Sequence, residues 1–318
     1  MGSGPNRAVI RDGAHTLYFP GDAGDGLDYL LAPGPDVVAR WLAQLGGQTA
    51  GRWPEDPRCP AGVLIDPDQR VLLLFAVALG DYAYRAAVLD AFARTWSGWQ
   101  LRWAHDGLAD LIAYTGGDPA VARLPLDPPR LPRYDGHDPE LPLAALVTIA
   151  GEHGGRAYGL SPDLAAEQPF RAGPGLVDWL AGGEPLEWCD EIPSAGLHLD
   201  QATRTAGLWS IMPLYGLREQ WPALWPGWTL DFWGDAYTRQ VALCPGVLDE
   251  VPQVLVEPGL RELARRLVDR WPVRSALAEA GLDVDRLHAH DVGGLRAMLD
   301  VGLTADELAR TVDAVTGR

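Results

Sequence analysis

Two aspartates hold corresponding places in two similar stretches of the sequence and are the best candidates for chemistry. Asp106 ends the stretch 96–106, and Asp235 ends the stretch 225–235. If the two carboxylates were brought together, the pKa of one would rise and the pair could share general acid and base duty, as in a hydrolase. Capping of a helix explains an aspartate at this place equally well, without catalysis.

Both stretches open with a Trp-x-Gly-Trp pattern, which we expect at a turn from a helix into a strand. Glycine permits a tight chain reversal there, and the large rings can cover the end of a core. A functional interpretation instead makes tryptophans the wall of an aromatic cleft for a planar ligand or a peptide. Trp103 and Trp233 are then the residues expected to line that cleft, beside Asp106 and Asp235.

One dense group of metal-ligand residue types occurs, at His288-Ala-His290-Asp291. Alternate histidines share one side of a strand, but this segment has the pattern of a helix end, where the rings diverge. Glu152-His153 lies in a predicted turn without a serine or cysteine at motif spacing, so a solvated turn is the better interpretation. The chain contains no GxSxG, HExxH, GxGxxG, P-loop or zinc-ligand pattern. We therefore expect no metal and no cofactor.

An aspartate and an arginine flank each of two predicted turns, Asp66 with Arg70 and Asp200 with Arg204. Their spacing lets the two side chains meet across the turn. We expect turn chemistry with a weak salt bridge at both places, and a ligand clamp is the alternative.

The formal net charge is −17, from 43 acidic and 26 basic residues, and every basic residue is an arginine. This balance argues against a nucleic-acid surface, which needs clustered positive charge to displace counterions from phosphates. Without lysine, a P-loop lysine and a Schiff base are also impossible. A cationic partner is compatible with the acidity, and so is the simpler interpretation that acidic excess keeps the protein soluble.

The longest strongly apolar run, 71–79, is far shorter than the roughly 20 residues needed to cross a bilayer. No apolar segment follows the first arginines, so the sequence predicts neither a signal peptide nor membrane association. The three cysteines are too scattered for a disulfide framework or a zinc site. The reducing cytoplasm is therefore the expected compartment.

The elements that position these residues recur along the chain, which predicts an α+β fold with an internal repeat. The first occurrence reads hairpin, helix, hairpin, helix, strand and helix, over 8–19, 35–45, 61–77, 81–95, 100–105 and 106–115. Matching patterns return in the same order in the second half. We expect two tandem homologous modules, 7–118 and 146–247, each about ββαββαβα and related by a pseudo-twofold axis, as in a dimer fused into one chain.

Two further regions complete the predicted domain organisation. Residues 119–145 are a connector, because seven prolines between Asp118 and Leu143 disfavour any regular element. Residues 251–318 contain short apolar-periodic segments and a capping-box pattern, Thr304-Ala-Asp-Glu307. They predict a small C-terminal all-α region of four or five helices.

These features favour a non-catalytic cytoplasmic binding protein, immunity-like or regulatory, over an enzyme. Its duplicated modules would offer an acidic, tryptophan-containing surface to a protein or peptide partner, and a cationic partner fits the charge best. One alternative is a hydrolase with Asp106 and Asp235 in a cleft between the modules. The other is a small-molecule sensor that uses an aromatic cleft of Trp103 and Trp233.

Overall fold

The computed structural model has two β-sheets with helices packed against them, which confirms the predicted α+β class. The structure describes residues 6–11, 14–18, 26–44, 48–49, 53, 58–127, 129–138, 140–150, 155–161, 165–187, 189, 191–244, 256–270 and 303–317.

The first half of the chain contributes one six-stranded sheet. Its strands are β1 Asn6–Arg11, β2 Ala14–Tyr18, β3 Gln48–Thr49, β4 Ala61–Asp66, β5 Val71–Ala76 and β6 Gln100–Trp103. The order is β3-β2-β1-β4-β5-β6. Strands β1 and β2 are antiparallel, β1 and β4 parallel, β4 and β5 antiparallel, and β5 and β6 parallel. All six residues of β5 are buried, as expected for a continuous apolar run inside a sheet.

The second half contributes a five-stranded sheet with a matching arrangement. Its strands are β7 Ala145–Ile149, β8 Arg156–Leu160, β9 Ala195–Asp200, β10 Thr205–Ser210 and β11 Thr229–Phe232. The order is β8-β7-β9-β10-β11. The successive pairs are antiparallel, parallel, antiparallel and parallel. Strands β2-β1-β4-β5-β6 of the first sheet have this same order and these same directions.

The described helices are α1 Leu27–Leu31, α2 Pro35–Gln44, α3 Tyr82–Thr95, α4 Leu108–Tyr114, α5 Glu167–Phe170, α6 Gly175–Leu180, α7 Leu217–Leu224, α8 Tyr237–Leu243, α9 Val256–Arg270 and α10 Ala305–Thr316. Helix α3 begins where the Asp81 side chain accepts a hydrogen bond from the N–H of Tyr84 at 2.6 Å. The helices predicted over 35–45, 81–95 and 106–115 are confirmed. None of the described helices is long and apolar enough to cross a membrane.

The Trp-x-Gly-Trp turns join α3 to β6 and α7 to β11, as predicted. Trp96 and Trp225 are fully buried at the ends of the two helices. Trp99 lies edge-on to Trp96, with ring centroids 4.9 Å apart, and Trp228 lies edge-on to Trp225 at 5.3 Å. These four rings therefore close the ends of the two cores.

Helices α9 and α10 pack against the first half of the chain. Leu263 and Leu267 of α9 and Val315 of α10 belong to the hydrophobic core of the first half. Arg266 forms an ion pair of 2.7 Å with the buried carboxylate of Asp28, which also accepts a hydrogen bond from the Tyr84 hydroxyl at 2.5 Å. The C-terminal region is thus attached by both apolar and charged contacts.

Helix α10 begins with the predicted capping box. The Thr304 hydroxyl accepts from the N–H of Glu307, and the Glu307 side chain accepts from the N–H of Thr304. The other helices predicted for the C-terminal region fall within 271–302, outside the described residues.

The salt bridges predicted at the two hairpin turns are wrong, although the turns themselves are present. The Asp66 carboxylate accepts from the N–H of Gln69, and the Asp200 carboxylate accepts from backbone N–H groups two and three residues further on. Arg70 and Arg204 adopt left-handed backbone conformations, with φ of 52° and 53°. Because backbone N–H groups of the turn lie within hydrogen-bond distance of the carboxylates, the aspartates cap the turns and do not pair with the arginines.

Candidate functional site

Asp106 lies three residues after the end of β6 and contacts the second half of the chain. Its carboxylate accepts hydrogen bonds from Arg218 of α7, at 2.8 and 3.2 Å, and from the N–H of Gly216 at 3.3 Å. The proposed cap of α4 is wrong, because the cap residue is Gly107 and the Asp106 carboxylate turns to the guanidinium. The N–H of Asp106 itself donates to the carboxylate of Asp110 at 2.8 Å.

Asp235 lies three residues after the end of β11 and contacts the first half of the chain. Its carboxylate accepts a hydrogen bond from Arg85 of α3 at 3.0 Å, and its backbone carbonyl accepts from the Tyr82 hydroxyl at 2.9 Å. The Arg85 side chain is 4% exposed, whereas that of Asp235 is 49% exposed. The ion pair therefore has one buried partner and one at the surface.

The two arginines are also held by aromatic rings of their own halves. The guanidinium of Arg85 lies 4.2 Å from the ring centroid of Trp103, and that of Arg218 lies 4.7 Å from the centroid of Phe232. Trp103 pairs with Leu74 in the first sheet, and Phe232 occupies the matching end of β11 in the second. In each half, one arginine stacks on an aromatic ring of the last strand, and its guanidinium binds the aspartate of the other half.

His105 lies between these two ion pairs. Its Nδ1 is 3.2 Å from the carbonyl of Ser210, and its ring meets Phe232 edge-on at 5.0 Å. Burial, together with the positive charges of Arg218 and Arg85, lowers the pKa of His105 to about 4. The imidazole is therefore neutral near pH 7. Asp106, Arg218, Asp235, Arg85 and His105 are named the junction below.

The residue of β11 that corresponds to Trp103 of β6 is Phe232, and Trp233 is the next residue along the chain. Its side chain points to the opposite face of the strand, where the residue is only 8% exposed. The ring stacks on His198, with centroids 6.5 Å apart, and the guanidinium of Arg239 lies 4.7 Å from its centroid. The structure thus brings Asp106, Asp235 and Trp103 to the junction and places Trp233 on a separate packing surface.

A buried polar chain lies beyond Trp233 in the second half, and sequence reasoning missed it. Gln240 accepts from the indole N–H of Trp209 at 2.7 Å and donates to the Thr148 hydroxyl at 3.0 Å. Thr148 is 3.0 Å from Nδ1 of His198, and the thiol of Cys244 is 3.8 Å from the same nitrogen. Burial lowers the pKa of His198 and raises the pKa of Cys244. Both shifts favour neutral groups, so the arrangement suits packing better than a reactive thiolate.

Sequence reasoning also missed Arg85 and Arg218, although their spacing carries a signal. Arg85 is followed at helical spacing by the buried residues Val88 and Phe92. Arg218 is followed at the same spacing by the buried Trp221 and Trp225, the latter just beyond the end of α7. A charged residue on the apolar face of a helix needs a buried partner, and an aspartate from elsewhere is the usual solution.

The remaining sequence candidates, His288-Ala-His290-Asp291 and Glu152-His153, lie outside the described residues. Within the part that the structure describes, no group of three histidine, cysteine or acidic side chains could hold a metal ion.

Comparisons of the chain with models of protein families, with curated proteins and with solved structures found no match. The side chains of the junction themselves indicate its chemistry. Its two carboxylates each have an arginine partner from the other half, and its imidazole is neutral. Such an arrangement is suited to fixing two halves against each other.

Proposed function

We propose that the chain consists of two tandem homologous modules, 7–118 and 146–247, which meet at the junction about a pseudo-twofold axis. The shared strand order and directions of the two sheets support this proposal. The junction supports it further, because its ion pairs are reciprocal. Each module contributes one aspartate and one arginine, and each aspartate pairs with the arginine of the other module. A twofold arrangement produces such reciprocal contacts without further assumptions.

Matching details in the two Trp-x-Gly-Trp turns give independent support for duplication. The indole N–H of Trp96 donates to the carbonyl of Leu31 at 2.8 Å, and that of Trp225 donates to the carbonyl of Phe170 at 2.7 Å. Both acceptors lie three residues before a glycine with positive φ, 89° at Gly34 and 68° at Gly173.

We propose that these modules form a non-catalytic binding protein for a protein or peptide partner. The observation that carries this proposal is the double pairing of Asp106 with Arg218 and of Asp235 with Arg85. A general base needs a carboxylate that can take up a proton from a substrate, and here the arginines already bind both carboxylates. The geometry supports a rigid frame for binding better than a hydrolytic site.

The acidity of the chain supports a cationic partner. With a net charge of −17, the protein attracts positively charged surfaces over distances of about 10 Å at moderate ionic strength. The exposed half of Asp235 and the partly buried Trp103, on which Arg85 stacks, are best placed to contact such a partner, and Asp106 lies at the same junction. Trp233 lies on the separate packing surface and does not face this partner. No disulfide joins any two of Cys59, Cys189 and Cys244, which fits the proposed cytoplasmic location.

Partner capture tests the proposed function. The purified chain, immobilised, is exposed to an extract of its native cell at low salt, and retained proteins are eluted by increasing salt. We expect a basic protein that elutes with salt and that binds again after purification, as for an immunity-like or regulatory protein. If nothing is retained at low salt, or if the retained protein is acidic and resists salt, the proposal is lost.

Two variants separate binding from the alternatives. In a hydrolase, Asp106→Asn and Asp235→Asn would each abolish turnover while the fold is kept. In a binding protein whose aspartates stabilise the junction, the same variants lower the stability, and neither the wild type nor the variants show turnover. A small-molecule sensor would instead show ligand-dependent quenching of the fluorescence of Trp103.

A further inference from the structure

A cleft of about 630 Å³ lies at the edge of the second sheet, away from the junction. One wall is the end of the connector, including Glu140 and Leu141, and the other is the segment that contains Leu186 and Glu187. Its volume is that of a site for a small ligand or for a few side chains of a peptide. Nothing in the proposed frame of two modules uses it.

Both walls are held in place by backbone contacts. The N–H of Leu186 donates to the carbonyl of Ala157 in edge strand β8 at 2.8 Å. On the connector side, the N–H of Leu143 donates to the carboxylate of Glu191, and the Tyr134 hydroxyl donates to the carbonyl of Gly159 at 3.1 Å. The cleft is therefore present before any ligand binds, which lowers the entropic cost of binding.

The lining combines apolar and acidic side chains. Leu141, with 37% of its surface exposed, and Leu186 provide apolar contact, while Glu140 and Glu187 are exposed at the rim. None of the ion pairs between described residues involves Glu140 or Glu187, and none of the described residues that line the cleft is an arginine. The glutamates consequently attract positive charge, and the two leucines attract hydrocarbon.

The spread of the acidic groups favours an extended cation over a metal ion. No three acidic, histidine or cysteine side chains in the described part converge as metal ligands, although Glu140, Glu187, Glu191, His137 and Cys189 all line the cleft. Lysine and arginine side chains fit such a lining, since they carry a hydrocarbon stem and a charged end.

We propose that this cleft binds a peptide segment in which a lysine or arginine stands beside an apolar residue. The inference rests on the proposed function, because it names the site at which the binding protein holds its cationic partner. The basic group lies against Glu140 and Glu187, and the apolar neighbour packs on Leu141 and Leu186.

The lack of lysine in the chain permits a direct test. An acetylated, amidated peptide of alternating lysine and leucine is mixed with the full chain at low salt, and its affinity is measured by fluorescence anisotropy. Carbodiimide coupling then joins protein carboxylates to peptide lysines, and mass spectrometry locates the joined residues. We expect joining at Glu140 and Glu187, and an affinity about tenfold lower for the Glu140→Gln/Glu187→Gln variant.

A matched variant controls for net charge. Asp127→Asn/Asp178→Asn removes two exposed carboxylates elsewhere, and we expect it to change the affinity less than about twofold. Circular dichroism checks that both variants keep the fold. Cys189 gives a second readout, because it lines the cleft while Cys59 and Cys244 are buried, so the bound peptide should slow its labelling by a thiol reagent.

The outcomes separate the cleft from the proposed function. If the wild-type chain binds the peptide but both variants lose affinity equally, or if the joined residues lie elsewhere, the cleft is not the site and the binding function stands. If the wild-type chain binds no cationic peptide or protein at low salt, both proposals fail.

Discussion

Arg85 in the first half of the chain donates a hydrogen bond to Asp235 in the second half at 3.0 Å, and the arginine is buried whereas the aspartate is half-exposed. This asymmetry predicts which partner is costlier to lose. Asp235→Ala leaves a buried positive charge without its partner, and we expect it to lower the free energy of unfolding by about 2–3 kcal/mol.

Arg85→Met removes the buried charge and leaves the aspartate in water. We expect a loss of only about 1 kcal/mol, because methionine keeps contact with Trp103. Urea denaturation of both variants measures the two values. Equal losses, or a larger loss for Arg85→Met, would contradict the account of this ion pair.

The pair of Asp106 and Arg218 predicts a coupling between the halves. A double-mutant cycle with Asp106→Ala and Arg218→Ala should give an interaction energy of about 1–2 kcal/mol, since both side chains are partly buried and bonded twice. The cycle with Asp106→Ala and the exposed Arg261→Ala serves as a control and should be additive within about 0.5 kcal/mol.

His105 predicts a pH dependence of stability. Its pKa of about 4 in the folded protein lies below the ordinary value near 6.5, because of burial and of the charges of Arg218 and Arg85, while Asp235 acts in the opposite sense. Between these two pH values the unfolded chain binds more protons than the folded one, so this contribution to stability is complete above pH 6.5 and is lost as pH falls towards 4.

The variant His105→Gln isolates this contribution. We expect the difference in unfolding free energy between wild type and variant to shift by on the order of 2 kcal/mol from pH 7.5 to pH 4, after allowance for the partly exposed ring. Denaturation at several pH values measures it. Parallel pH profiles for the two proteins would show that His105 is not shielded from protons in the folded state.

Gly207 predicts how tightly Trp233 is packed. A Cβ atom at Gly207 in β10 would overlap the six-membered ring of Trp233. We expect Gly207→Ala to cost about 2–3 kcal/mol and to shift tryptophan emission to longer wavelength as the ring is displaced. Gly175, in α6, has open space around it, and Gly175→Ala should keep the wild-type emission. Unchanged emission in Gly207→Ala would mean that Trp233 is free to move, as an aromatic cleft requires.

Local signals explain the parts of the fold that could be predicted from the sequence. The β-prone and apolar runs on either side of two turns predict β1 with β2 and β4 with β5, and the segment 81–95 is predicted as the helix that becomes α3. The parallel pairing of β1 with β4, and the packing of α9 on the first core, involve distant segments with no local pattern, and they were not predicted.

The candidate site was predictable in the same uneven way. The repeated place of Asp106 and Asp235 identified residues that the structure brings to the junction. Their arginine partners come from the other half of the chain, and spacing along the sequence does not show which distant residues the fold brings together. Trp103 and Trp233 were both expected to line one cleft. The strand register matches Trp103 with Phe232, and because the side-chain direction alternates along a strand, Trp233 faces the other side of β11.

The salt dependence of partner binding tests the central claim most directly. The dissociation constant of the captured partner for the purified chain is measured from low to high salt by isothermal titration calorimetry. An acidic binding protein with a cationic partner predicts tight binding at low salt and a loss of affinity of at least about tenfold at high salt. An affinity that does not change with salt, or turnover of the partner in place of stable binding, would contradict it.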